Sequence, residues 1–551
     1  MKYRIIIMAA AAALAVAGCT KEQLVESTTG DGTIITATAT VPGATCETKV
    51  SYTDAFKTKE DIVDIKAAWE DGDTFTALEI NGSTITEVKF TAKGAGKDAV
   101  FTSKGAVAAD DNTSWISVFG DVEVVDGSFV CKYDNQDGTL ANLSKYDFTV
   151  AKATGKTPKF DFAKGERLSY VMRVLLPEGI ATMEFNTGEV YDGGWTVTSA
   201  GKAKGTTSTP VKEAVKYANL KSASTAGQIA YLSIPAISYA VGDGDSKNRI
   251  GGFILTIMSS DKKLSQGKVM SSDLSASGGC LGTFDMSTLT LMPRPLASDA
   301  IKMGSATVGG VSYPLGSWAP FNLGADYPTS DDCIKGGMFA WGETEPKTTF
   351  TKDGYRFYNS GTYTTQIGYK YETPAEGVAP YIYLSPSGGS SQRNGPGTYY
   401  DICGTKYDAA RVKWGVEWCL PTNDVVNNIC EMGGPYLNEE GGIEYEYYSA
   451  GTYKNKYNFT SPSMGVCVIK VNGQELALYF TPFTDDGKIN STGSLGRYYT
   501  ATSDYGVYSN GEFKGYWNRA AQLRMANNEC YINNKSWQWD GLAIRPILNE
   551  K

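Results

Sequence analysis

The stretch IKAAWEDGDTFTAL, residues 65–78, places a sharp turn beside a strand-like run. Apolar and polar residues alternate after the turn, which predicts a half-buried β-strand because successive side chains of a strand point to opposite faces. Trp69 is predicted to end the preceding strand by packing into the core, and Gly72 and Asp73 to make the turn. The same alternation recurs in TIITATATV, STITEVKFTA and WISVFGDVEVV, between the turn signals EDGD, NGS and QDGT. Many short strands joined by such turns predict β-sandwiches.

The N-terminus resembles a secretory signal peptide, with positive charge in MKYR followed by the short apolar run IIIMAAAAALAVA. It ends in VAGC, which matches a bacterial lipoprotein signal. The match implies that residues 1–18 are removed, that acyl chains are attached to Cys19, and that residues 19–30 form a lipidated tether. An ordinary signal peptide with a chance cysteine is the alternative. The first interpretation predicts a protein anchored by lipid to the outer membrane and exposed at the surface, with a periplasm-facing anchor as the other orientation.

The composition excludes several classes of function. The chain has 551 residues, a net charge of −9 and a pI near 5.0, which argues against a nucleic-acid partner because phosphate binding needs clustered cations. It has no histidine, so catalytic triads that depend on imidazole and histidine metal sites are excluded. No CxxC pair occurs among the cysteines, and zinc-type spacing is absent. We therefore expect no cofactor and no metal, while a disulfide or two would suit an exported protein.

The chain changes character near residue 300. Residues 301–551 contain 25 of the 34 tyrosines and seven of the ten tryptophans, whereas the first part is rich in Thr, Ser, Val, Ala and Gly. This shift in composition indicates a domain boundary.

The first part resembles the fimbrillin-like lipoproteins of Bacteroidetes. The resemblance rests on ETKVSYTD, IKAAWEDGDTFTAL, VKFTA and AVFTSKG, in which Trp69, Gly72 and Asp73 occupy the family's Trp-x-x-Gly-Asp element. AYLSIPA and GGFILTIMSSDKK look like the family's second sandwich. The resemblance implies two β-sandwiches, over residues 31–162 and 163–298. It also implies that related shaft subunits polymerise after an arginine-specific protease removes an N-terminal strand.

The last part is similar to the Fibrobacter succinogenes major paralogous domain. Five elements occur in the family's order: GGVSYPLGSWAPFNLGA, GGMFAWGETEP, YDAARVKWGVEWCLPTNDVV, YYTATS and WDGLAIRPIL. The resemblance implies a C-type-lectin-like α+β fold for residues 301–551. The predicted fold class is therefore mainly β with α+β, as two fimbrillin-like β-sandwiches followed by one C-type-lectin-like domain.

Cys419 stands where this family usually has arginine, and three roles are open for it. Thr422 is a plausible helix N-cap and Asp424 suits the first turn, which predicts a buried setting at the start of a helix. A buried cysteine acts mainly as a small hydrophobe. The alternatives are a disulfide with Cys403 or Cys430, or a reactive thiol.

Two functions known from related folds are not expected. The sulfatase-modifying oxidases of this fold use a close cysteine pair, and here the C-terminal end offers Cys530 as a lone thiol. Calcium-dependent lectins of the fold need oxygen ligands where this chain has Lys347 and Arg519, whose charges would repel Ca²⁺. Asp243 and Asp245 in GDGDSKN have spacing that could hold calcium, but a solvated turn is the simpler interpretation.

Paired carboxylates leave a carbohydrate-active enzyme as an alternative, since glycosidases need only two of them. Glu343 and Glu345 form one pair, and Glu444 and Glu446 form another. Residues two apart in a strand project to the same face. Acidic pairs of this kind are also common on exposed strands.

Aromatic residues give the binding hypothesis. Flat rings with polar edges suit sugar faces and protein interfaces, although in a Tyr-rich fold many rings belong to the core, as predicted for Trp341, Trp414 and Trp418. The candidate ligand-binding residues are Tyr445, Tyr447, Tyr448, Tyr453, Trp537 and Trp539. We expect a monomeric, non-catalytic adhesin or binding module for a glycan or for a host or bacterial surface protein. The alternatives are a fimbrial accessory or tip subunit and an enzyme that uses carboxylates.

Overall fold

A computed structural model gives the fold of the chain, which is mostly strand with a few short helices, as the sequence predicts. None of the helices in the described part has the length and apolar character needed to cross a bilayer. The structure describes residues 34–40, 68–133, 135–186, 194–199, 201–204, 215–218, 228–236, 253–270, 281–350, 355–359, 362–368, 402–404, 407–430, 441–485, 487–490, 493–503, 506–509, 512–516, 519–526, 529–537 and 540–549.

The structure is described in three parts, and the first, residues 34–167, forms ten strands and one α-helix. Residues 162–164 add a 3₁₀ turn. The strands are β1 (Thr36–Thr40), β2 (Thr74–Asn81), β3 (Thr84–Lys93), β4 (Asp98–Ser103), β5 (Ser114–Phe119), β6 (Glu123–Val125), β7 (Ser128–Lys132), β8 (Thr149–Thr154), β9 (Lys159–Asp161) and β10 (Glu166–Arg167), and the helix is α1 (Leu140–Leu143). Eight of the strands make one sheet in the order β10-β8-β5-β2-β3-β4-β1-β9. Because β8 and β9 also contact each other, the sheet curls around its own core.

Trp69 belongs to that core, as predicted from the opening stretch. Its side chain is 1% exposed, and its ring lies edge-on to Phe101 and Phe119 at centroid distances of 4.9 and 5.1 Å. Its backbone N–H donates to Gly96 O at 2.7 Å. Gly72 has φ +89°, a left-handed conformation that glycine adopts readily, and β2 follows the turn. The strand predicted before Trp69 lies outside the described residues.

The second part forms two sheets that face each other across one core. Its strands are β11 (Ser169–Leu176), β12 (Ile180–Asn186), β13 (Gly194–Thr198), β14 (Gly201–Lys204), β15 (Val215–Ala218), β16 (Gln228–Pro235), β17 (Phe253–Ser259), β18 (Leu264–Met270), β19 (Leu281–Asp285) and β20 (Met292–Pro293). The sheets have the orders β16-β11-β19 and β15-β12-β17-β18-β20. Met172 of β11, Met183 of β12 and Leu255 of β17 meet in the core between them. This arrangement is a β-sandwich.

One sheet joins the first two parts. Strand β13 pairs with β7, so that the order β14-β13-β7-β6 combines strands from both parts of the chain. Trp195 of β13 and Phe129 of β7 pack in one cluster with Ile116 of the eight-stranded sheet. Strand pairing therefore crosses the sequence boundary expected at residues 162/163, and the domain division itself stays a prediction.

The third part has short strands in several small sheets. Its strands are β21 (Ile301–Lys302), β22 (Ser305–Val308), β23 (Val311–Pro314), β24 (Ser317–Trp318), β25 (Tyr355–Asn359), β26 (Thr362–Gly368), β27 (Trp418–Cys419), β28 (Glu444–Tyr448), β29 (Val466–Val471), β30 (Gln474–Tyr479), β31 (Phe483–Asp485), β32 (Lys488–Asn490), β33 (Leu495–Ser503), β34 (Gly506–Ser509), β35 (Glu512–Tyr516), β36 (Arg519–Ala526), β37 (Glu529–Trp537) and β38 (Ile547–Leu548). Its helices are α2 (Asp331–Lys335), α3 (Ala409–Trp414) and α4 (Asn423–Ile429), and residues 297–299 form a 3₁₀ turn.

The two ends of this third part meet in one sheet. Its order is β21-β24-β38-β27, in which Trp318 lies opposite Ile547. Trp341, Trp414 and Trp418 are buried, which confirms the sequence prediction that they belong to the core.

Helix α3 holds the third part against the second sandwich. Thr256 Oγ1 donates to Val412 O at 3.0 Å, and Ser265 Oγ donates to Lys413 O at 2.7 Å. At Gly267 of β18, a Cβ atom would lie 1.7 Å from Val412 O, so a side chain does not fit there. The helix backbone and two strands of the sandwich are therefore in direct contact.

Candidate functional site

Two of the predicted tyrosines lie on the core side of the sheet formed by β28, β29 and β30. Tyr445 is opposite Ile469, and Tyr447 is opposite Cys467, which places each ring on the same face as a buried apolar partner. The Tyr445 hydroxyl donates to Ile429 O at 3.0 Å. These two half-buried rings pack against the core of the third part of the chain.

The opposite face of the same sheet carries a tyrosine, a carboxylate and a lysine side by side. The Tyr448 hydroxyl donates to Glu446 Oε2 at 2.5 Å, and Lys470 Nζ lies 2.6 Å from Glu446 Oε1. The bonds from Lys470 and Tyr448 hold the pKa of Glu446 below its ordinary value. The hydrogen bond to Glu446 raises the pKa of Tyr448. All three side chains are half-buried, and the Tyr448 ring packs against the buried cluster that contains Val466, Val468 and Tyr479.

Tyr453 extends this face from the segment that follows β28. Its ring lies 5.1 Å from the Tyr448 ring and 6.4 Å from the Tyr479 ring, measured between centroids. Its hydroxyl donates to a carboxylate oxygen of Glu475. Burial and this bond raise the pKa of Tyr453. We call the group the Tyr448–Tyr453 face, and it consists of Glu446, Tyr448, Tyr453, Lys470 and Glu475.

The other predicted site residues are not brought to this face by the described part of the chain. Trp537 ends β37, but its side chain and Trp539 lie outside the described residues. Cys19 and the candidate calcium residues Asp243 and Asp245 also lie outside them. Their roles stay predictions.

The carboxylates considered for catalysis lie beside lysines. Glu343 forms an ion pair with Lys347, four residues later. Glu345 Oε1 lies 2.6 Å from Nζ of the buried Lys413, next to the sandwich contact. Both acidic residues of GETEP thus have cationic partners that connect them to the surrounding fold.

A second cluster lies inside the third part, and the sequence did not predict it as a group. The sulfur atoms of Cys403 and Cys419 and a carboxylate oxygen of Asp408 lie within 4.8 Å of one another. Cys419 is 2% exposed, which confirms its predicted burial, whereas Cys403 is half-buried. The wide and unequal spacing along the chain matches no local metal motif. Only the fold brings the three residues together.

Asp408 holds this cluster to the backbone. Its Oδ2 accepts N–H bonds from Gly404 at 2.8 Å and Leu420 at 2.9 Å, and its Oδ1 accepts from Arg411 N at 3.1 Å as the N-cap of α3. Burial raises the pKa of Asp408 to about 6, and the three N–H bonds oppose that rise. One carboxylate therefore connects the turn before α3, the helix itself and the segment after β27.

The prediction that Cys530 is a lone thiol is wrong. Cys430, the C-cap residue of α4, has its sulfur 4.0 Å from the Cys530 sulfur, and both side chains are buried. The sequence could not show this proximity because the two cysteines are far apart along the chain and meet only where α4 packs against β37.

Comparison with known proteins gives only distant likenesses. No protein-family model and no curated protein matches the chain. A candidate cell adhesion protein from Bacteroides ovatus ATCC 8483 is similar at 10% identity and a TM-score of 0.31, covering 48% of this chain and 96% of that chain. A fimbrial protein from the same organism gives 9% identity and a TM-score of 0.24, covering 95% of this chain and 100% of that chain.

A third structure is a candidate cell adhesion protein from Bacteroides fragilis NCTC 9343. It is 10% identical, with a TM-score of 0.22, and the match covers 48% of this chain and 98% of that chain. At TM-scores below 0.5 these likenesses carry no conclusion about this chain.

Proposed function

We propose that this chain is a non-catalytic cell-surface adhesin that binds a glycan at its Tyr448–Tyr453 face. The observation that carries the proposal is the pair of neighbouring tyrosine rings, 5.1 Å apart, bordered by two carboxylates and a lysine.

The chemistry of the face favours a sugar. A tyrosine ring presents an apolar surface and a polar edge, which suits the alternating C–H and O–H groups of a sugar ring. Glu446 and Glu475 can accept hydrogen bonds from sugar hydroxyls, and Lys470 can donate to them. The hydroxyls of both rings are held by these carboxylates, so the rings are oriented before a ligand arrives, which lowers the entropic cost of binding.

Anchoring at the outer membrane belongs to the same proposal. It rests on the VAGC element, which predicts acylation of Cys19. Cys19→Ser should yield a precursor that no longer incorporates labelled fatty acid. Undiminished incorporation in this variant would overturn the lipid anchor, whatever the ligand is.

The binding test compares the purified chain with a variant that carries Tyr448→Ala and Tyr453→Ala. Binding to a glycan array should fall about tenfold or more, since burial of one aromatic side chain contributes at least about 1.5 kcal/mol. Tyr531→Ala is the matched control because Tyr531 is another half-buried tyrosine, on a different sheet. Thermal unfolding of all variants separates loss of binding from loss of fold.

Two outcomes would contradict the proposal. Equal glycan binding by the double variant and the parent would remove the face as the site. If the parent bound a protein ligand and no glycan, the ligand class would change to protein, and the adhesin role would stand.

A fimbrial accessory or tip subunit is the second candidate. Strand β1 lies between β4 and β9 and pairs with both, so it is an N-terminal strand held within the sheet. However, the sequence has no arginine between Arg4 and Arg167, and the guanidinium of Arg167 pairs with the buried Asp147. An arginine-specific protease should therefore leave the chain monomeric on size-exclusion chromatography. Ladders of denaturant-resistant oligomers after cleavage would favour the fimbrial role instead.

A further inference from the structure

Two cysteines lie on either side of α3 in sequence and close together in space. Cys403 is in a turn before the helix, and Cys419 is in β27 after it. Their sulfur atoms and a carboxylate oxygen of Asp408 all lie within 4.8 Å of one another. Cys419 is held by the backbone pairing of β27 with Ile547, whereas the half-buried Cys403 lies in a turn outside the strands. The covalent bond needs sulfur atoms about 2.05 Å apart, so rotation of the Cys403 side chain is the movement required.

We propose that Cys403 and Cys419 form a disulfide by exchange with an external disulfide donor. The half-buried Cys403 is the thiol that the donor reaches. Cys419, at 2% exposure, is the thiol that completes the bond.

The same three side chains suit a metal ion less well. Both Asp408 oxygens already accept backbone N–H bonds, from Gly404, Leu420 and Arg411. The buried guanidinium of Arg411 is coupled electrostatically to Glu184 and then to Asp408, so a cation is already near this carboxylate. A metal dication would add a second positive charge beside it, which is costly in a buried setting. We therefore favour bond formation between the two sulfurs over metal binding.

The exchange balances without any other reactant. The Cys403 thiolate attacks one sulfur of the donor, breaks the donor S–S bond and releases the first donor thiol. The Cys419 thiolate then attacks the Cys403 sulfur, and the second donor thiol leaves. The chain loses two electrons and two protons, and the donor gains them as two thiols.

The bond would close a loop around α3. That helix contacts the second sandwich through Val412 and Lys413, whose carbonyls accept bonds from Thr256 and Ser265. A covalent link across the base of the helix restricts its movement in the unfolded and partly unfolded chain. The disulfide would therefore stabilise the junction between the sandwich and the third part of the chain.

The test uses the purified chain, reduced and then exposed to oxidised glutathione. Remaining thiols are alkylated, and unreduced tryptic peptides are examined by mass spectrometry. Trypsin cuts between the two cysteines at Lys406, Arg411 and Lys413, and fragmentation of the linked species distinguishes Cys419 from Cys430, which lies on the same tryptic peptide. We expect the Cys403–Cys419 pair to be recovered as one linked species, which reduction separates.

Single substitutions sharpen the result. Cys419→Ser should leave Cys403 carrying glutathione, whereas Cys403→Ser should leave the buried Cys419 unmodified. Cys333→Ser is the matched control, because Cys333 is a half-buried cysteine on α2, and it should not change the amount of linked peptide. Recovery of both cysteines alkylated on separate peptides after oxidation would overturn the proposal. One zinc ion per purified chain, lost in both serine variants, would also overturn it by assigning the sulfurs to a metal.

Discussion

The eight-stranded sheet around Trp69 and the surroundings of α3 are both buried, but they bury different chemistry. The core of the sheet is almost entirely aromatic and apolar; its aromatic members are Trp69, Phe75, Phe90, Phe101, Trp115, Phe119, Phe160 and Phe162. Around α3, Asp408, Arg411 and Lys413 are each about 1% exposed or less. Charged groups are rarely buried unless they are paired or bonded, so these three must have structural partners.

The difference follows from how each region satisfies the hydrogen-bonding groups of its backbone. In the long strands of the first sheet, the ladder pairs N–H and C=O groups, which leaves the side chains to fill space. In the third part, many strands are only two to six residues long, and side chains complete the bonding. Arg545 is an example: it donates to Asn322 Oδ1 at 2.8 Å, Ala319 O at 3.0 Å and Ala477 O at 3.2 Å. The third part should therefore be more sensitive to loss of a polar group than the first.

The largest expected effect is that of Asp408→Ala. The change leaves three backbone N–H groups without their acceptor, and each buried orphan costs about 1–3 kcal/mol. The free energy of unfolding should fall by about 5 kcal/mol, measured by urea denaturation. Asp408→Asn is the matched control, since it keeps one acceptor oxygen and should lose clearly less. A loss below about 1 kcal/mol for the alanine variant would show that Asp408 is not what holds this region.

Phe75→Ala tests the other side of the comparison. The Phe75 ring lies 5.2 Å from Phe90, 4.8 Å from Phe101 and 5.2 Å from Phe160, in a core without bulk to replace it. Truncation of a buried phenylalanine costs about 3–5 kcal/mol. Phe75→Leu keeps most of the apolar volume and should recover most of the stability in the same denaturation experiment. Equal losses for leucine and alanine would mean that ring contacts, rather than volume, stabilise this core.

The same contrast explains what the sequence could predict. Trp69 and Gly72 were predictable because their roles depend on a turn and a strand a few residues away. The face of each tyrosine was not, because Tyr447 and Tyr448 lie on opposite sides of β28 and each side packs on a different buried cluster. The thiol cluster was predictable only in part: Cys403 was one of two possible disulfide partners of Cys419, but the place of Asp408 beside both sulfurs depends on the fold around α3. Periodicity contains no information on such contacts.

The pH dependence of stability should isolate the contribution of Asp408, with a smaller effect than either substitution above. Burial raises the pKa of Asp408 to about 6, from an ordinary value of 3.8. The folded state then binds this proton more tightly than the unfolded state, so the contribution is full below about pH 4 and is lost as pH rises through about 6. The parent should lose on the order of 1–3 kcal/mol across that window relative to Asp408→Asn, which lacks the titrating group.

Phe75→Ala provides the comparison for this measurement. It is expected to be destabilised at every pH but to keep the same slope as the parent, since the aromatic core contributes no change of protonation. Urea titrations at about pH 4, 5 and 6 would show both effects. A difference of the opposite sign, with the parent gaining on Asp408→Asn as pH rises, would mean that the three N–H bonds outweigh burial.

The smallest expected effect concerns two threonines that begin helices. Thr139 is the N-cap of α1, and its hydroxyl oxygen accepts the N–H of Asn142 at 3.1 Å. Thr422 occupies the same position at α4, where its side chain makes no capping hydrogen bond. Loss of a capping side chain costs about 0.5–2 kcal/mol, and about 1 kcal/mol is typical.

Thr139→Ala should therefore cost about 1 kcal/mol, whereas Thr422→Ala should cost only a few tenths. The structure confirms the position of Thr422 as the N-cap predicted from sequence, but its side chain makes no capping hydrogen bond. The contrast between the two regions is therefore not complete, because the capping hydrogen bond that stabilises a helix end here is that of Thr139, in the first part of the chain. Thr139→Ser and Thr422→Ser keep both hydroxyls and should remain near the parent in parallel urea titrations. If Thr422→Ala were the more destabilising of the two alanine variants, the third part would depend on its polar side chains even at a helix end where no bond is formed.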